Sequence, residues 1–271
     1  MTSKFKIYQI AYDQKTLDSV QSGGFLLLDN MANERPDWYE YWPIRNYLLS
    51  NPLQDDCWYG FFSPKFTDKT QLDYHQVCEF IHNSFEKNLV DVALFSPQPD
   101  MGSNFLSVFE QAEMFDPGFI DIAKKFFATL GINVPLENII MDSRQIVFSN
   151  YFVAKPSFWR EWFVWTEALF SVAEDSLHPL HSLLCVNTTY SENSHRKVFL
   201  LERIASLLLI LKPAYKVAVA NTFKFGWSMS KFRNQPESVY INDALKMAFR
   251  EHGFPEYMDA YRTIRGNFPG I

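Results

Sequence analysis

The sequence predicts an α/β layered domain with a mostly parallel central sheet and a helical C-terminal portion. Two observations lead there. Over roughly the first hundred residues, short apolar runs alternate with segments of helical period, the pattern of parallel strands joined by crossover helices. Beyond Pro156, apolar residues recur at helical spacing over long stretches, chiefly Ser157 to Val172 and Lys197 to Leu211.

Taken in order, Phe5 to Tyr12 alternates as a first strand, and Asp13 to Ser22 is a polar loop or short helix closed by Gly23-Gly24. Phe25 to Leu28 is a second apolar run ending at Asp29-Asn30. Tyr41, Ile44, Tyr47 and Leu48 share one face of a helix, with Pro43 suited to its first turn. Cys57 to Phe62 is a continuous apolar strand that stops at Ser63-Pro64-Lys65. Leu72 to Glu86 has helical period, and Val90 to Phe95 is a buried-type strand broken by Ser96 to Asp100. Asp116-Pro117-Gly118 starts a helix that runs to Leu130 and ends at Gly131. Ile146 to Ala154 is predicted as a strand, and Ala244 to Glu251 as a short helix. No repeat, low-complexity stretch or linker divides the chain, so residues 1–271 are expected to form one domain with halves at 1–105 and 106–271.

With 47% hydrophobic and 21% charged residues over 271 positions, the chain has the profile of a folded protein rather than a disordered one. Its longest mostly apolar stretch, Val198 to Leu211, is interrupted by Glu202-Arg203 and is shorter than the ~18 to 20 apolar residues of a membrane span. The N-terminus shows no apolar leader, which makes the cytoplasm the expected compartment. Cys57, Cys78 and Cys185 lack metal or disulfide spacing and read as buried thiols. A net charge of −6 gives no general footprint for nucleic acid. The 17% aromatic content suits a packed core and also flat platforms for sugars and bases.

Familiar catalytic signatures, the P-loop, the Rossmann glycine fingerprint, HExxH and GxSxG, are absent. What remains are polar groups at strand ends, where ligands of parallel sheets bind: Tyr12-Asp13, Asp29-Asn30, Ser63 to Lys65 and Ser96 to Asp100. Asp100 reads either as a turn aspartate or as a ligand for a magnesium or manganese ion bridging a diphosphate. Lys65 follows a glycine-containing strand, and is either a phosphate-binding cation or a solvated lysine; Gly60 in that strand marks close approach by a backbone or a ligand. Glu110 and Glu113 lie three apart on a helical segment, as paired carboxylates or as a solvated face. Glu202-Arg203 sits within an apolar helix, where a buried charge demands a partner: a structural ion pair or a substrate contact. His178 and His181, separated by a proline, read as surface loop rather than metal ligands.

The segments Trp58 to Phe66, Asp91 to Asp100, Asn150 to Phe158 and Arg196 to Arg203 together resemble, in that order, bacterial capsule and lipopolysaccharide glycosyltransferases with a nucleotide-diphospho-sugar transferase (GT-A) fold. The resemblance spans most of the chain from residue 58 to 211. It departs at the metal motif, because Gln98-Pro99-Asp100 stands where such enzymes carry DxD. It implies a GT-A-like domain whose 1–105 half binds the nucleotide-sugar donor and whose 106–271 half binds the acceptor. The donor contacts it implies are Tyr8, Tyr12, Asp13, Lys65, Asp91, Asp100, Glu202 and Arg203. The acceptor contacts are Glu110, Asp116 and Asn150, and Asp100 is the surviving candidate ligand for a divalent cation. Glu113 or Asp142 is the candidate base that removes the acceptor proton.

Glycosyl transfer to a glycan or lipid-linked acceptor in surface polysaccharide biosynthesis is therefore the leading expectation. A non-catalytic carbohydrate-binding protein and a sugar-phosphate nucleotidyltransferase are the alternatives, the latter with only Gly23-Gly24 as a phosphate loop. Lipid-linked acceptors imply work at the inner face of the membrane. The stretch Lys212 to Arg233, in which Phe223, Phe225, Trp227 and Phe232 alternate with Lys224, Lys231 and Arg233, reads either as a peripheral membrane contact or as ordinary core packing.

Overall fold

In the computed structural model, which describes residues 5–87, 90–189, 191–228 and 230–266, β1 (Phe5–Ala11) turns alternate residues to two cores, Ile7 to one and Tyr8 and Ile10 to the other. The polar segment after it is a helix, α1 (Gln14–Gly23). Asp13 caps it by accepting the Thr16 backbone N–H at 2.8 Å, while the Thr16 hydroxyl accepts the Asp13 N–H at 3.1 Å, a reciprocal capping box. Gly24, at φ 81°, turns the chain out of the helix into β2 (Leu26–Asp29). A 3-10 turn (Pro36–Trp38) precedes α2 (Tyr41–Ser50), and β3 (Trp58–Phe62) follows. Next come α3 (Phe66–Thr70), α4 (Tyr74–Lys87) and β4 (Val92–Leu94).

The sequence reading differs from the structure in the next stretch. Ser96 to Asp100 is not all loop: Pro99 opens α5 (Pro99–Asn104), and Asp100 lies in its first turn. α6 (Val108–Phe115) is capped by Ser107, and α7 (Phe119–Thr129) begins after Gly118, as the Asp-Pro-Gly signal indicates. The strand expected from Ile146 shrinks to β5 (Phe152–Ala154), because Ser149 and Asn150 both adopt positive φ (58° and 52°) and turn the chain just before it. Pro156 starts α8 (Pro156–Glu174). The remainder comprises α9 (His181–Leu184), a hairpin of β6 (Asn187–Thr188) and β7 (Ser191–His195), α10 (Arg196–Leu211), β8 (Val217–Val219), α11 (Pro236–His252) and α12 (Pro255–Gly266). α11 is longer than its apolar signal, since polar residues fill its first turns, and α12 gave no signal that stood out.

Six strands form one sheet in the order β2-β1-β3-β5-β4-β8. β5 runs antiparallel to both neighbours, and the other pairings within this sheet, among the described residues, are parallel. The fold is thus α/β with a mostly parallel central sheet, and strands from both halves of the sequence enter it. One face, with Ile7, Trp58, Phe62, Ala93 and Val153, packs on Phe66 of α3 and on Val77 and Ile81 of α4. The other, with Ile10, Tyr59, Phe61, Leu94 and Phe152, packs on α2, α6, α7, α8 and α10. α10 runs through this second core with 12 of its 16 residues buried, which is why its apolar residues form no one-sided stripe. Gly60 of β3 is needed for the strands themselves: a Cβ there would stand 2.7 Å from Val153 Cγ2 and 3.3 Å from Ile7 Cγ2, so the close neighbour is strand side chain rather than ligand.

The three cysteines are free thiols; only Cys57 is buried. Among the described residues no helix is long and apolar enough to cross a membrane.

Candidate active site

The chain leaves β1 toward β2 on one side and returns through β3 on the other, so the crossovers diverge at the β1/β3 boundary. Divergence there opens a crevice beyond the strand C-termini, the usual ligand position in such sheets. Two connected hollows occupy it. The outer one, about 250 Å³, is lined by Tyr12 after β1, Asn30 and Asn33 after β2, and Tyr39 and Lys65. The inner one, about 220 Å³, reaches under the sheet edge to Ser149, Asn150, Trp162 and Glu202. Tyr39, Glu40 and Lys65 line both, so they stand where the two meet.

Local structure aims these side chains. Lys65 precedes α3 and Lys69 ends its last turn; four residues apart, they face the same hollow. Lys69 Nζ donates to Ser149 Oγ at 2.8 Å and lies 5.6 Å from the Tyr151 ring centroid, and the Tyr151 hydroxyl hydrogen-bonds Ser63 Oγ at 2.6 Å. Gly226 donates its N–H to the Lys69 carbonyl at 2.6 Å, an approach any Cβ would block, since it would fall 2.7 Å from that oxygen. The turn at Ser149-Asn150 is formed by two non-glycine residues in the left-handed region, a conformation that costs free energy and concentrates at functional sites. It presents both side chains to the inner hollow, where Asn150 Oδ1 has no hydrogen-bond partner.

The opposite wall is the loop around Trp38. Arg35 donates to both Asp37 oxygens at 2.9 Å and to Glu174 at 2.7 Å; the Trp38 indole donates to Glu174 at 2.9 Å; and buried Lys197 reaches Asp37 at 2.5 Å. Lys197 also lies 4.4 Å from the Trp38 ring centroid. Burial alone would raise the Asp37 carboxyl, but Arg35 and Lys197 outweigh it and bring its pKa down to about 2. This latch holds Tyr39 at φ 47°, ψ −131°, another strained non-glycine conformation, and points Glu40 into the hollow. Glu202 lies across from it on α10. Burial, and secondarily the negative charge of Glu40, pushes the Glu202 carboxyl above its ordinary range, with Arg203 and Lys69 opposing. Trp162 of α8, fully buried, lines the same hollow with an indole N–H that has no partner.

Of the residues singled out in the sequence, Tyr12, Lys65, Asn150 and Glu202 meet at this crevice. Asp13 is next to it but is committed to capping α1, and the Thr16 N–H, then its hydroxyl, lowers its carboxyl pKa. Tyr8 is half-buried against the core, its ring stacked 5.4 Å from Phe61 and its hydroxyl bonded to that of Tyr47, and it does not line the crevice. Asp91 precedes β4, at the opposite end of the sheet, paired with Lys155 at 2.8 Å. Arg203, expected in a structural ion pair or at the donor, does not line the crevice. It points away into the core, where it donates to the Val108 and Phe199 carbonyls and to Gln111, and burial lowers its pKa to about 10.

The remaining acids are engaged elsewhere. Glu110 accepts the Leu106 N–H and pairs with Arg265 at 2.8 Å; Asp116 is a buried bidentate partner of Arg196 at 2.6 and 3.0 Å. Glu113 accepts the Gly118 and Ile120 N–H groups, each at 2.7 Å, at the start of α7. Asp142 is buried against Arg144 and Arg250 at 2.8 and 3.1 Å. Neither acid chosen as a base lines the crevice, whereas Glu40, absent from the sequence reading, does. Asp100 is fully buried: one carboxylate oxygen accepts the Ser228 N–H at 3.0 Å, and the other accepts the Ser228 and Ser230 hydroxyls. Both oxygens are thus used to hold Ser228 and Ser230, and the position does not fit a solvent-accessible divalent cation. No cluster of three or more metal-ligating side chains occurs among the described residues.

Glu40, Lys69 and Trp162 were missed. The Lys65/Lys69 spacing was a readable signal, since residues four apart share a helix face. Nothing local marks Glu40 or Trp162, which reach the crevice only through the Trp38 latch and the packing of α8.

No family model and no curated protein matches the chain. Among solved structures, the apo structure of WbbM, a bifunctional glycosyltransferase, is similar to it at 13% identity and a TM-score of 0.47, covering 80% of this chain and 44% of WbbM. The chain therefore spans less than half of that protein's length, and a likeness of this degree assigns neither residues nor activity.

Proposed function

We propose that the protein is a glycosyltransferase that moves a sugar from a nucleotide-sugar donor to a hydroxyl of a glycan or lipid-linked acceptor. One observation carries this reading: the crevice at the β1/β3 divergence joins a groove flanked by aromatic rings to a second hollow holding two carboxylates and two lysines. The nucleoside lies in the outer groove against Tyr12 and Tyr39, with Asn30 and Asn33 able to read a base edge. The diphosphate lies at the junction and the sugar in the inner hollow. Glu202, or Glu40 beside it, takes the proton of the acceptor hydroxyl. A carboxyl raised above its ordinary range is the better proton acceptor near neutral pH. As the acceptor oxygen bonds to the anomeric carbon, the bond from that carbon to the donor phosphate breaks, and its electron pair leaves on the nucleoside diphosphate. Lys65 and Lys69 neutralise that charge, the task a metal ion performs in enzymes with a DxD motif.

The test is turnover of a panel of UDP-, GDP-, CDP- and dTDP-sugars with manganese, magnesium or EDTA. Release of nucleoside diphosphate is expected, with Glu202→Gln reducing it by about 100-fold or more. Absence of turnover and of binding across the panel refutes the reading; binding without turnover favours a carbohydrate-recognition protein.

The reading extends to a peripheral membrane contact. Phe225 and Phe232 are buried, but Phe223 and Trp227 lie at the surface against exposed Tyr240, with ring centroids 4.7 and 6.2 Å away, beside exposed Lys224, Lys231 and Arg233. Rings flanked by cations suit an anionic lipid interface. Flotation with anionic vesicles should carry the protein at low salt, and Lys224→Gln with Lys231→Gln should abolish it.

A further inference from the structure

The polar wall of the inner hollow is rich in acceptors. The side-chain carboxylates of Glu40 and Glu202 both line it with no hydrogen bond or ion pair among the described residues, and Asn150 Oδ1 is a third acceptor without a partner. Lys65 and Lys69 line the same hollow; Lys69 is bonded to Ser149, Lys65 stands with Glu40 at the junction with the outer groove, and both lysines are assigned above to the diphosphate. An independent sign that a ligand belongs here is Trp162: its side chain is completely buried, lines the hollow, and leaves its N–H without an acceptor, a state that costs free energy unless something polar arrives. At about 220 Å³ the hollow is below the roughly 300–1,000 Å³ of drug-sized ligand sites, which fits a single ring. A ligand that satisfies this wall must donate O–H or N–H bonds to carboxylates and offer one oxygen to an indole. A neutral sugar does both; with Lys65 and Lys69 engaged by the diphosphate, a sugar bearing a carboxylate brings a further negative charge against Glu40 and Glu202.

Resting on the reading of the protein as a nucleotide-sugar glycosyltransferase, we infer that the donor sugar is uncharged or amino-substituted, and that Glu40 and Glu202 exclude uronic acids. Like charges brought together in a partly desolvated site are strongly discriminated against, and hydroxyl donors to a carboxylate are charge-assisted bonds. Specificity on this account comes from a repulsive element as much as an attractive one.

Calorimetry of the whole chain tests this in two steps. Bare UDP, GDP, CDP and dTDP identify the base; then the glucose, galactose, glucuronate and galacturonate conjugates of that base are compared. At least one neutral conjugate should bind more tightly than the bare nucleotide, and its uronate counterpart at least about tenfold more weakly than the neutral sugar. The double variant Glu40→Gln, Glu202→Gln, checked for folding by circular dichroism, should bring the pair within about threefold; if it does not fold, Glu40→Gln alone should narrow the gap. A uronate that binds as well as its neutral partner in the unaltered protein overturns the inference, as does a gap that persists in the folded variant. Binding of a bare nucleotide with no gain from any sugar overturns the inference alone, and no binding of any nucleotide overturns the glycosyltransferase reading with it.

Discussion

Asn150 carries two costs at once: a left-handed backbone and an amide oxygen without a partner. Glycine removes both, so Asn150→Gly should raise stability in urea by about 0.5–1 kcal/mol while reducing donor binding at least several-fold. A loss of stability would mean that the amide is held by the fold rather than kept for a ligand. Glu202 makes a second, pH-dependent case. Its folded carboxyl is raised from 4.5, so the protein's stability contribution from this group is full below that value and is lost as pH rises through the folded pKa. Glu202→Gln, which cannot ionise, should therefore match the unaltered protein near pH 4.5 and exceed it in urea midpoint at pH 8. Equal midpoints at both pH values would place the carboxyl in ordinary solvent.

The latch that holds the 35–40 loop unites three elements: the 3-10 turn, the end of α8 through Glu174 and the start of α10 through Lys197. Lys197 is only 3% exposed, and removing its closest carboxylate leaves its charge with Glu174 at 3.7 Å. Asp37→Asn should cost about 2 kcal/mol, less than a fully buried pair because Asp37 is partly solvated. It should also weaken donor binding through displacement of Tyr39 and Glu40. The sign with pH is that of a depressed acid: the contribution is present above 3.8 and lost as pH falls toward about 2. The stability gap between the two proteins should shrink over that window in acid titration followed by tryptophan fluorescence; a gap constant down to pH 2 would show that the ion pair does not support the loop.

Asp100 joins distant parts of the chain, tying α5 to the segment after β8 through three hydrogen bonds across about 130 positions of sequence. Ser228 and Ser230 thereby hold the surface that carries Trp227 beside Gly226, which in turn touches the Lys69 carbonyl of the crevice. Asp100→Ala leaves the part-buried Ser228 N–H and two hydroxyls without their acceptor, so the midpoint of thermal unfolding should fall by the equivalent of about 2 kcal/mol. Any loss of activity should track that loss of fold and be partly recovered at lower temperature. Inactivation with an unchanged melting temperature would instead return Asp100 to the chemistry.

Local pattern determined the α/β class, because strand and helix periods depend on neighbouring residues only: Trp58 to Phe62 and Val92 to Leu94 were legible as buried strands, and Ser157 to Val172 and Lys197 to Leu211 as long helices. Lys65 and Tyr12 were legible for a related reason, since each stands at the end of a strand, where ligands meet a parallel sheet; Asn150 came only from the family resemblance, within a stretch expected to be strand. Which acids remain free was decided only by the tertiary structure. Glu110, Glu113, Asp100, Asp116 and Asp142 look alike in sequence to Glu40 and Glu202, yet each found an arginine, a helix N-terminus or serine hydroxyls through contacts made by folding. A carboxylate's availability depends on partners up to 160 positions away, as for Asp37 and Lys197, and that separation carries no local period. The same holds for the neighbours Glu202 and Arg203: one step along α10 rotates a side chain by about 100°, enough to put one charge on the crevice and the other among backbone carbonyls in the core.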